Sequence, residues 1–409
     1  MDSYSKRTIV GFSWISAFRV LSRGVGFIKI VIIARLLVPA QFGIFGIASL
    51  SLAFLEILTE AGINVFLVQE KKDIKEYIND AWLVSIIRGV IIASFIIFTA
   101  PFVVAFFEIP QSIGIISLIS IVPLIKGFIN PAEVKFQKEL QFNKEFYFRS
   151  AIFSLDSSVA VIASLITHSA IGLVFGLIAG ALLEVILSFI LIKPTPTFKF
   201  NLHKIIKIFH KGKWVTLYGI LNYAASRGDS VAIGRTVGAG ALGIYQMGYT
   251  IATLPISEIA DVANRVTFPV YSKISDDIFR LKRAFKKTIL IVSTAAVLVG
   301  LVIFFFPKDL FIFIFGQKWE STMIVLRPLA VFGVIRAISG TTSSLFLGIG
   351  KQNYVAGMTS LRLIVLLITI APLTISYGIL GASYSVLLSG ISEIPIVIYY
   401  VRLAFKSNK

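Results

Sequence analysis

Stretches of about 20 mostly apolar residues recur along the whole chain, and about 20 is what a helix rising ~1.5 Å per residue needs to cross ~30 Å of hydrocarbon. Twelve such segments are predicted, at residues 10–36, 42–68, 81–107, 112–130, 148–167, 170–192, 214–237, 241–271, 287–306, 321–348, 353–375 and 379–404. Short clusters of Lys, Arg, Gly and Pro separate them. The pattern predicts an all-α integral membrane protein. Composition agrees: 56% of the 409 residues are hydrophobic, 15% are charged, and mean hydropathy is +0.88, far from the balance of a soluble domain.

The N-terminal MDSYSKR runs into a span too long and too basic for the short apolar core of a cleavable signal peptide, so the first span is expected to stay in the protein. Cysteine is absent, which removes disulfides and Cys-ligated metal centres. Histidine occurs only at His168, His203 and His210, without metal-ligand spacing. GIGKQ at Gly348 to Gln352 lacks the first glycine and the Ser/Thr of a phosphate-binding loop, so no ATP site is visible. The external loops are a few residues long except PKDLFIFIFGQKWES, Pro307 to Ser321, which reads as an interfacial amphipathic turn. With no sizeable catalytic segment, an enzyme is not expected, and no cofactor is.

Charge sets orientation. Of the 39 Lys and Arg residues, 26 fall in one set of loops and ends, and only Lys308 and Lys318 in the alternate set. By the bias of cations toward the cytoplasmic side, the first set and both termini are cytoplasmic. Topology and anionic headgroups account for the net charge of +18, and nucleic-acid binding is not expected because the cations sit in short loops beside spans.

Shifting the sequence by 200 residues aligns Trp14 with Trp214, Arg35 with Arg235 and Gly43 with Gly243. A shift of 209 pairs Gly172, Gly176, Gly180 and Glu184 with Gly381, Ser385, Ser389 and Glu393. Small residues every fourth position mean close helix packing on their own. Together the matches predict two parallel six-helix lobes, residues 1–192 and 214–409, joined by a cytoplasmic Lys-rich linker at 193–213.

The remaining 11 cations lie within or at the edges of spans. Eight acids sit at similar depth. A charge near the bilayer centre costs at least ~2.5–3.5 kcal/mol on insertion scales, so this many imply a polar cavity. Helical spacing places Ser16, Arg19, Arg23 and Gly26 on one stripe of the first span, with Lys29 at its edge. Ser49, Ala53, Glu56, Glu60 and Asn64 share a face of the second; Tyr218, Asn222, Ser226 and Asp229 share a face of the seventh; Glu258, Asp261 and Arg265 share one on the eighth.

Structural explanations compete for many of these. Arg35 and Arg235 lie near external ends, where snorkelling explains them. Arg88, Arg327, Arg336 and Arg362 are close to predicted ends and read as interfacial. Arg265 has Asp261 one turn away, and Glu184 and Glu393 end small-residue stripes, where interhelical hydrogen bonds suffice. Arg19 and Arg23 are like charges one turn apart, unfavourable without a shared anion. Two guanidinium forks at that spacing suit a diphosphate. A carboxylate, or Glu56 and Glu60 of the next span, would also serve.

The run GFSWISAFRVLSRGVGFIKIVIIARLLVPAQFGIF, with Glu60-Ala61-Gly62 after it, resembles the start of the Wzx-type polysaccharide and oligosaccharide flippases of the multidrug/oligosaccharidyl-lipid/polysaccharide exporter superfamily. GAGALGIYQMGYTIATLP resembles the start of that family's second lobe, and NRVTFPVYSKISDD the close of its eighth helix. The resemblance implies two pseudo-symmetric six-helix lobes around a central cavity in the cell membrane. It implies alternating access that carries a polyprenyl-diphosphate-linked oligosaccharide from the cytoplasmic to the outer leaflet for polysaccharide biosynthesis. On that basis Arg19, Arg23, Lys29, Arg227 and Asn222 are candidates to hold diphosphate and sugar. Glu56, Glu60, Asp229, Glu258, Asp261 and Arg265 are candidates for coupling to H+ or Na+ or for bonding sugar hydroxyls, and a polysaccharide polymerase is a candidate partner. The alternatives are an ion-coupled small-molecule or drug antiporter of the same superfamily, which the many cations at membrane depth oppose, and a membrane scaffold, which leaves those charges unexplained.

Overall fold

The computed structural model describes residues 2–58, 74–139, 141–198, 219–220, 223–224 and 226–406, without the side chains of residues 2–12, 15, 16, 58 and 137. Among the described residues every regular element is helical. The chain divides into two compact units, Met1–Ala224 and Ala225–Lys409. Most of the expected linker, from residue 199 on, lies outside the described residues.

In the first unit, α1 (Asp2–Leu36) and α2 (Pro39–Leu58) are followed by α3 (Ile78–Phe106). The expected span at 112–130 is broken into α4 (Ile113–Ile119) and α5 (Ile121–Lys126). The break has two local causes: Pro123 offers no N–H to the carbonyl four residues back, and the Ser120 hydroxyl donates to the Ser117 carbonyl at 2.6 Å, tightening the chain there. A 3-10 turn (Pro131–Val134) and the single-turn α6 (Lys135–Lys138) lead to α7 (Phe142–Thr167) and α8 (Ile171–Leu191).

The second unit has a helical stretch at 226–236, then α9 (Ala239–Lys273), α10 (Ile278–Phe304), α11 (Lys308–Phe315), α12 (Met323–Gly348) and α13 (Gln352–Lys406). The last of these is two helices: Gly378 adopts φ 59° and ψ −138°, a left-handed conformation that glycine accepts without penalty, and it forms the turn between the two final predicted spans. Helix α10 begins well before the predicted 287, because Asp277 caps it by accepting from the Arg280 amide at 3.0 Å. Its basic first turns therefore extend the helix beyond its apolar part. The 307–321 stretch forms α11 and a 3-10 turn, with Trp319 fully buried.

Among the described residues, seven helices are long and apolar enough to cross a membrane, α3 and α8 among them. Helices α1 and α9 have the length as well, at 35 residues each, but carry the charges discussed below. Large apolar side chains face outward, such as Phe98 at 70% and Ile166 at 75% exposure, as expected where the surroundings are lipid.

The glycine stripe of α8 lies against α7. A Cβ on Gly176 would meet the Ala160 Cβ and the Asp156 carbonyl, each at 2.6 Å, so only glycine lets the two backbones approach this closely. At one end of this pair His168 adopts φ 48° between α7 and α8, and its carbonyl accepts from Gln41 Nε2 at 2.9 Å. Gln41 Oε1 in turn accepts from the Val38 amide, tying the α1–α2 turn to the α7–α8 turn.

Candidate functional site

Among the cations predicted for the anion site in the first unit, Arg19 is half-buried and Arg23 exposed, one turn apart on α1. Two turns further on, Lys29 Nζ lies 2.9 Å from Asp156 Oδ2 of α7, with both side chains mostly buried (17% and 14% exposed). Gly176 and Gly180 of α8 close over Asp156 from the other side, Gly180 placing its would-be Cβ 3.1 Å from the Asp156 Cβ. An aspartate flanked by glycines and answered by a lysine is the way such a charge is tolerated inside a helix bundle. The sequence stripe put Lys29 at the edge of the anion site, and pairing with α7 is what the helical wheel of α1 alone had no means of showing.

Glu56 of α2 has its Oε1 3.8 Å from Lys126 Nζ, and its carbonyl accepts from Arg88 at 2.7 Å. Arg88, expected at an interface, thus reaches across to α2 inside the unit. Glu60 and Asn222 lie outside the described residues.

In the second unit Asp229 is buried at 5% exposure and accepts two hydrogen bonds of 2.6 Å, from the Tyr245 hydroxyl of α9 and from the Ser230 amide. Arg227 is exposed nearby. One turn along α9, the Tyr249 hydroxyl accepts from Arg336 of α12 at 2.7 Å. The Tyr245 and Tyr249 rings are 6.0 Å apart. Arg362 and Glu393, in the two halves of α13, approach to 3.9 Å, with Glu393 3% exposed. Arg336 and Arg362 therefore serve the interior of this unit rather than a headgroup zone. Arg327 lies over the Phe304 ring at 5.6 Å, a cation–π contact near a helix end. On α9, Glu258 is half-buried while Asp261 and Arg265 are exposed.

The two glutamates that close the small-residue stripes have matching partners. Arg149 NH1 of α7 lies 3.8 Å from Glu184 of α8, as Arg362 lies 3.9 Å from Glu393. In both units an arginine of the penultimate span answers the glutamate of the last, which extends the internal repeat from small residues to charges. Arg149 sits in the second turn of α7, where Glu145 binds it at 3.1 Å. Asp156 was legible in the sequence only as one of the eight acids at membrane depth, with no partner assigned; Tyr245 and Tyr249 carried no signal, since a tyrosine on a helix declares itself only through its partner.

The architecture is that of a polytopic helical membrane protein in which several charges at membrane depth find partners within each unit. Residues 32–324 match the family of polysaccharide biosynthesis proteins, and the chain belongs to that family. It is similar to an uncharacterised membrane protein of the cps region of Klebsiella pneumoniae, 28% identical over 391 residues, which are 94% of this chain and 80% of the relative. It is also similar to the lipopolysaccharide biosynthesis protein WzxC of Escherichia coli (strain K12), 23% identical over 349 residues, covering 84% of this chain and 70% of that one. Among solved structures, the lipid II flippase MurJ in an inward closed conformation has the same fold, with a TM-score of 0.75 at 16% identity over 95% of this chain and 87% of the other.

Proposed function

We propose that the chain is a flippase that moves a polyprenyl-diphosphate-linked oligosaccharide from the cytoplasmic to the outer leaflet of the cell membrane, for polysaccharide biosynthesis. The observation that carries this reading is the family match over residues 32–324, with a lipopolysaccharide biosynthesis protein among the relatives. The fold shared with a lipid II flippase fits it. In this reading the chain has twelve transmembrane helices in two six-helix lobes, 1–192 and 214–409, around a central cavity, with 193–213 as a cytoplasmic linker. Both termini are cytoplasmic, and the protein lies in the cytoplasmic membrane. Alternating access exposes the cavity to one leaflet at a time, coupled to H+ or Na+, and a polysaccharide polymerase receives the product.

Arg19 and Arg23 take the diphosphate, because two guanidinium forks one turn apart match two phosphate groups. Lys29, Arg227 and Asn222 are the further candidates to hold diphosphate or sugar, while Glu56, Glu60, Asp229, Glu258, Asp261 and Arg265 are candidates to bond sugar hydroxyls or the coupling ion. The prenyl tail stays in the bilayer, so only the head and sugars need desolvation. Charge steers the choice among superfamily functions: cations at membrane depth suit an anionic head, and they work against cationic drugs.

The test is transfer of a fluorescent polyprenyl-diphosphate oligosaccharide across proteoliposome leaflets under a set proton or sodium gradient. Wild type should transfer it and the Arg19→Gln, Arg23→Gln double variant should not, while remaining folded in the membrane. Equal transfer by both refutes the diphosphate site. Transport of cationic dyes with no response to lipid-linked sugar supports the antiporter instead.

A further inference from the structure

At the end of the first unit where α5 gives way to α7, two carboxylates hold one guanidinium and a third, Glu133, lies close enough to feel its charge. Arg149 Nε lies 3.1 Å from Glu145 Oε1, and its NH1 lies 3.8 Å from Glu184 Oε1. Glu133 enters from the 3-10 turn Pro131–Val134, outside the membrane-spanning helices. The charges that act on it are Arg149, Glu184, Glu145 and Lys126, with Arg149 the strongest. Lys126 is shared with Glu56, 3.8 Å away. Glu133 Oε2 is sealed from solvent and has no hydrogen-bond partner among the described residues.

The surroundings are apolar. Ala132, Val134, Phe148 and Ile192 are all buried in one cluster around this turn. Burial pushes the Glu133 carboxyl up to about 7; Arg149 pulls it back, and Glu184 and Glu145 push it further up. Structure alone does not call for an acid here. Arg149 already has two carboxylates, so a third adds an unpaired buried charge when ionised. With Lys126 and its partner Glu56 counted, the ionised cluster carries two negative charges in excess, and one proton on Glu133 halves that excess.

The cluster also adjoins a strap. Asn130, next to the turn and fully buried, donates from Nδ2 to the Ile192 carbonyl at 3.2 Å and the Pro194 carbonyl at 3.1 Å. Asn79 Oδ1 accepts from the Thr197 amide at 2.8 Å. Together they hold the first residues of the segment that leaves this unit toward the next. A change of charge at Glu133 therefore occurs three residues from the side chain that anchors this segment.

We propose that Glu133, with Arg149 and Glu184, forms a proton-binding site, and that its proton is the coupling ion of the transport cycle. The first part stands on the geometry of the cluster; the second rests on the flippase reading. The carboxylate takes up a proton from the adjacent aqueous phase, the excess negative charge falls by one, and Arg149 stays with Glu145 and Glu184. Release restores the excess charge beside the Asn130 strap. Of the acids read from the sequence as coupling candidates, Glu56 reaches this cluster through Lys126; Glu133 itself was not among them.

Infrared titration of the full chain in lipid nanodiscs, from about pH 5 to about pH 9 across the Glu133 midpoint of about 7, reads the site directly through the carbonyl stretch of a neutral carboxyl. The difference between wild type and Glu133→Gln should contain one carboxyl titrating in that range, and Glu184→Gln should shift that band to lower pH because a like charge is gone. Identical titration of wild type and Glu133→Gln across that range overturns the site. In proteoliposomes a proton gradient should raise lipid-linked oligosaccharide transfer severalfold for wild type and leave Glu133→Gln without response. A Glu133→Gln protein that still answers to the gradient overturns the coupling role. Failure of wild type to transfer any lipid-linked sugar refutes the flippase reading and the coupling with it, while the infrared result still decides the proton site.

Discussion

Neutralising one member of the Lys29–Asp156 pair should cost more than neutralising both. At 2.9 Å, with both side chains mostly buried, the gross attraction is about 6 kcal/mol at an effective dielectric constant of about 20. Most of that repays desolvation, so the pair's net worth is small, yet removing one partner strands the other and costs about 3–5 kcal/mol. Asp156→Asn leaves Lys29 facing α7 without a counter-charge, and Lys29→Met leaves Asp156 sealed against Gly176 and Gly180, with no space for water on that side. The neutral double variant Lys29→Met, Asp156→Asn strands nothing and should fall within about 1–2 kcal/mol of wild type. Reversible unfolding in lipid nanodiscs by denaturant titration gives the cycle. Single variants within about 0.5 kcal/mol of wild type, or a double variant as unstable as the two singles added together, would refute the buried-pair argument.

Three further outcomes follow from the geometry. Tyr245→Phe removes the hydroxyl that donates to Asp229 at 2.6 Å and should cost about 1–3 kcal/mol for the buried carboxylate left short of a donor, read as a lower unfolding midpoint; no loss would mean water replaces the hydroxyl. Gly176→Ala puts a methyl 2.6 Å from both the Ala160 Cβ and the Asp156 carbonyl and should cost about 1–3 kcal/mol by forcing α7 and α8 apart, whereas Gly114→Ala, which meets nothing within 4 Å, should not. The Glu133 carboxyl titrates higher in the folded chain, at about 7 against 4.5, so its stabilising contribution is complete below about pH 4.5 and is lost as pH rises through about 7, by about 3 kcal/mol at most. Thermal midpoints should therefore fall between about pH 5 and pH 9 in wild type and fall less in Glu133→Gln, and parallel curves would refute the shift.

Among the described residues, hydrophobic periodicity was enough to locate most of the long helices, because a span is a local property: about 20 apolar residues satisfy the bilayer whatever their neighbours do. The small-residue stripe ending in Glu184 was legible for the same reason, since close packing needs small side chains at fixed spacing on one helix. Its meaning was half visible. That Arg149 and Arg362 answer the two glutamates depends on which helix lies alongside, and no spacing within one helix encodes that. The breaks were partly readable: Gly378 and Pro123 are ordinary punctuation, but the hydroxyl of Ser120 turning back on its own helix is decided by local geometry.

The charges divide along the same line. Sequence by itself determined that cations and acids sit at membrane depth and therefore need partners, because burying an unpaired charge is too costly to be left unanswered. Only the tertiary structure decided who answers whom: Lys29 meets Asp156 across α1 and α7, Asp229 meets Tyr245, and Arg336 meets Tyr249. Glu133 belongs wholly to the second kind. In the sequence it is one acid in a Lys-rich turn, and only the fold, by closing Ala132, Val134, Phe148 and Ile192 around it and setting Arg149 and Glu184 beside it, removes the water that would have held its carboxyl in the ordinary range.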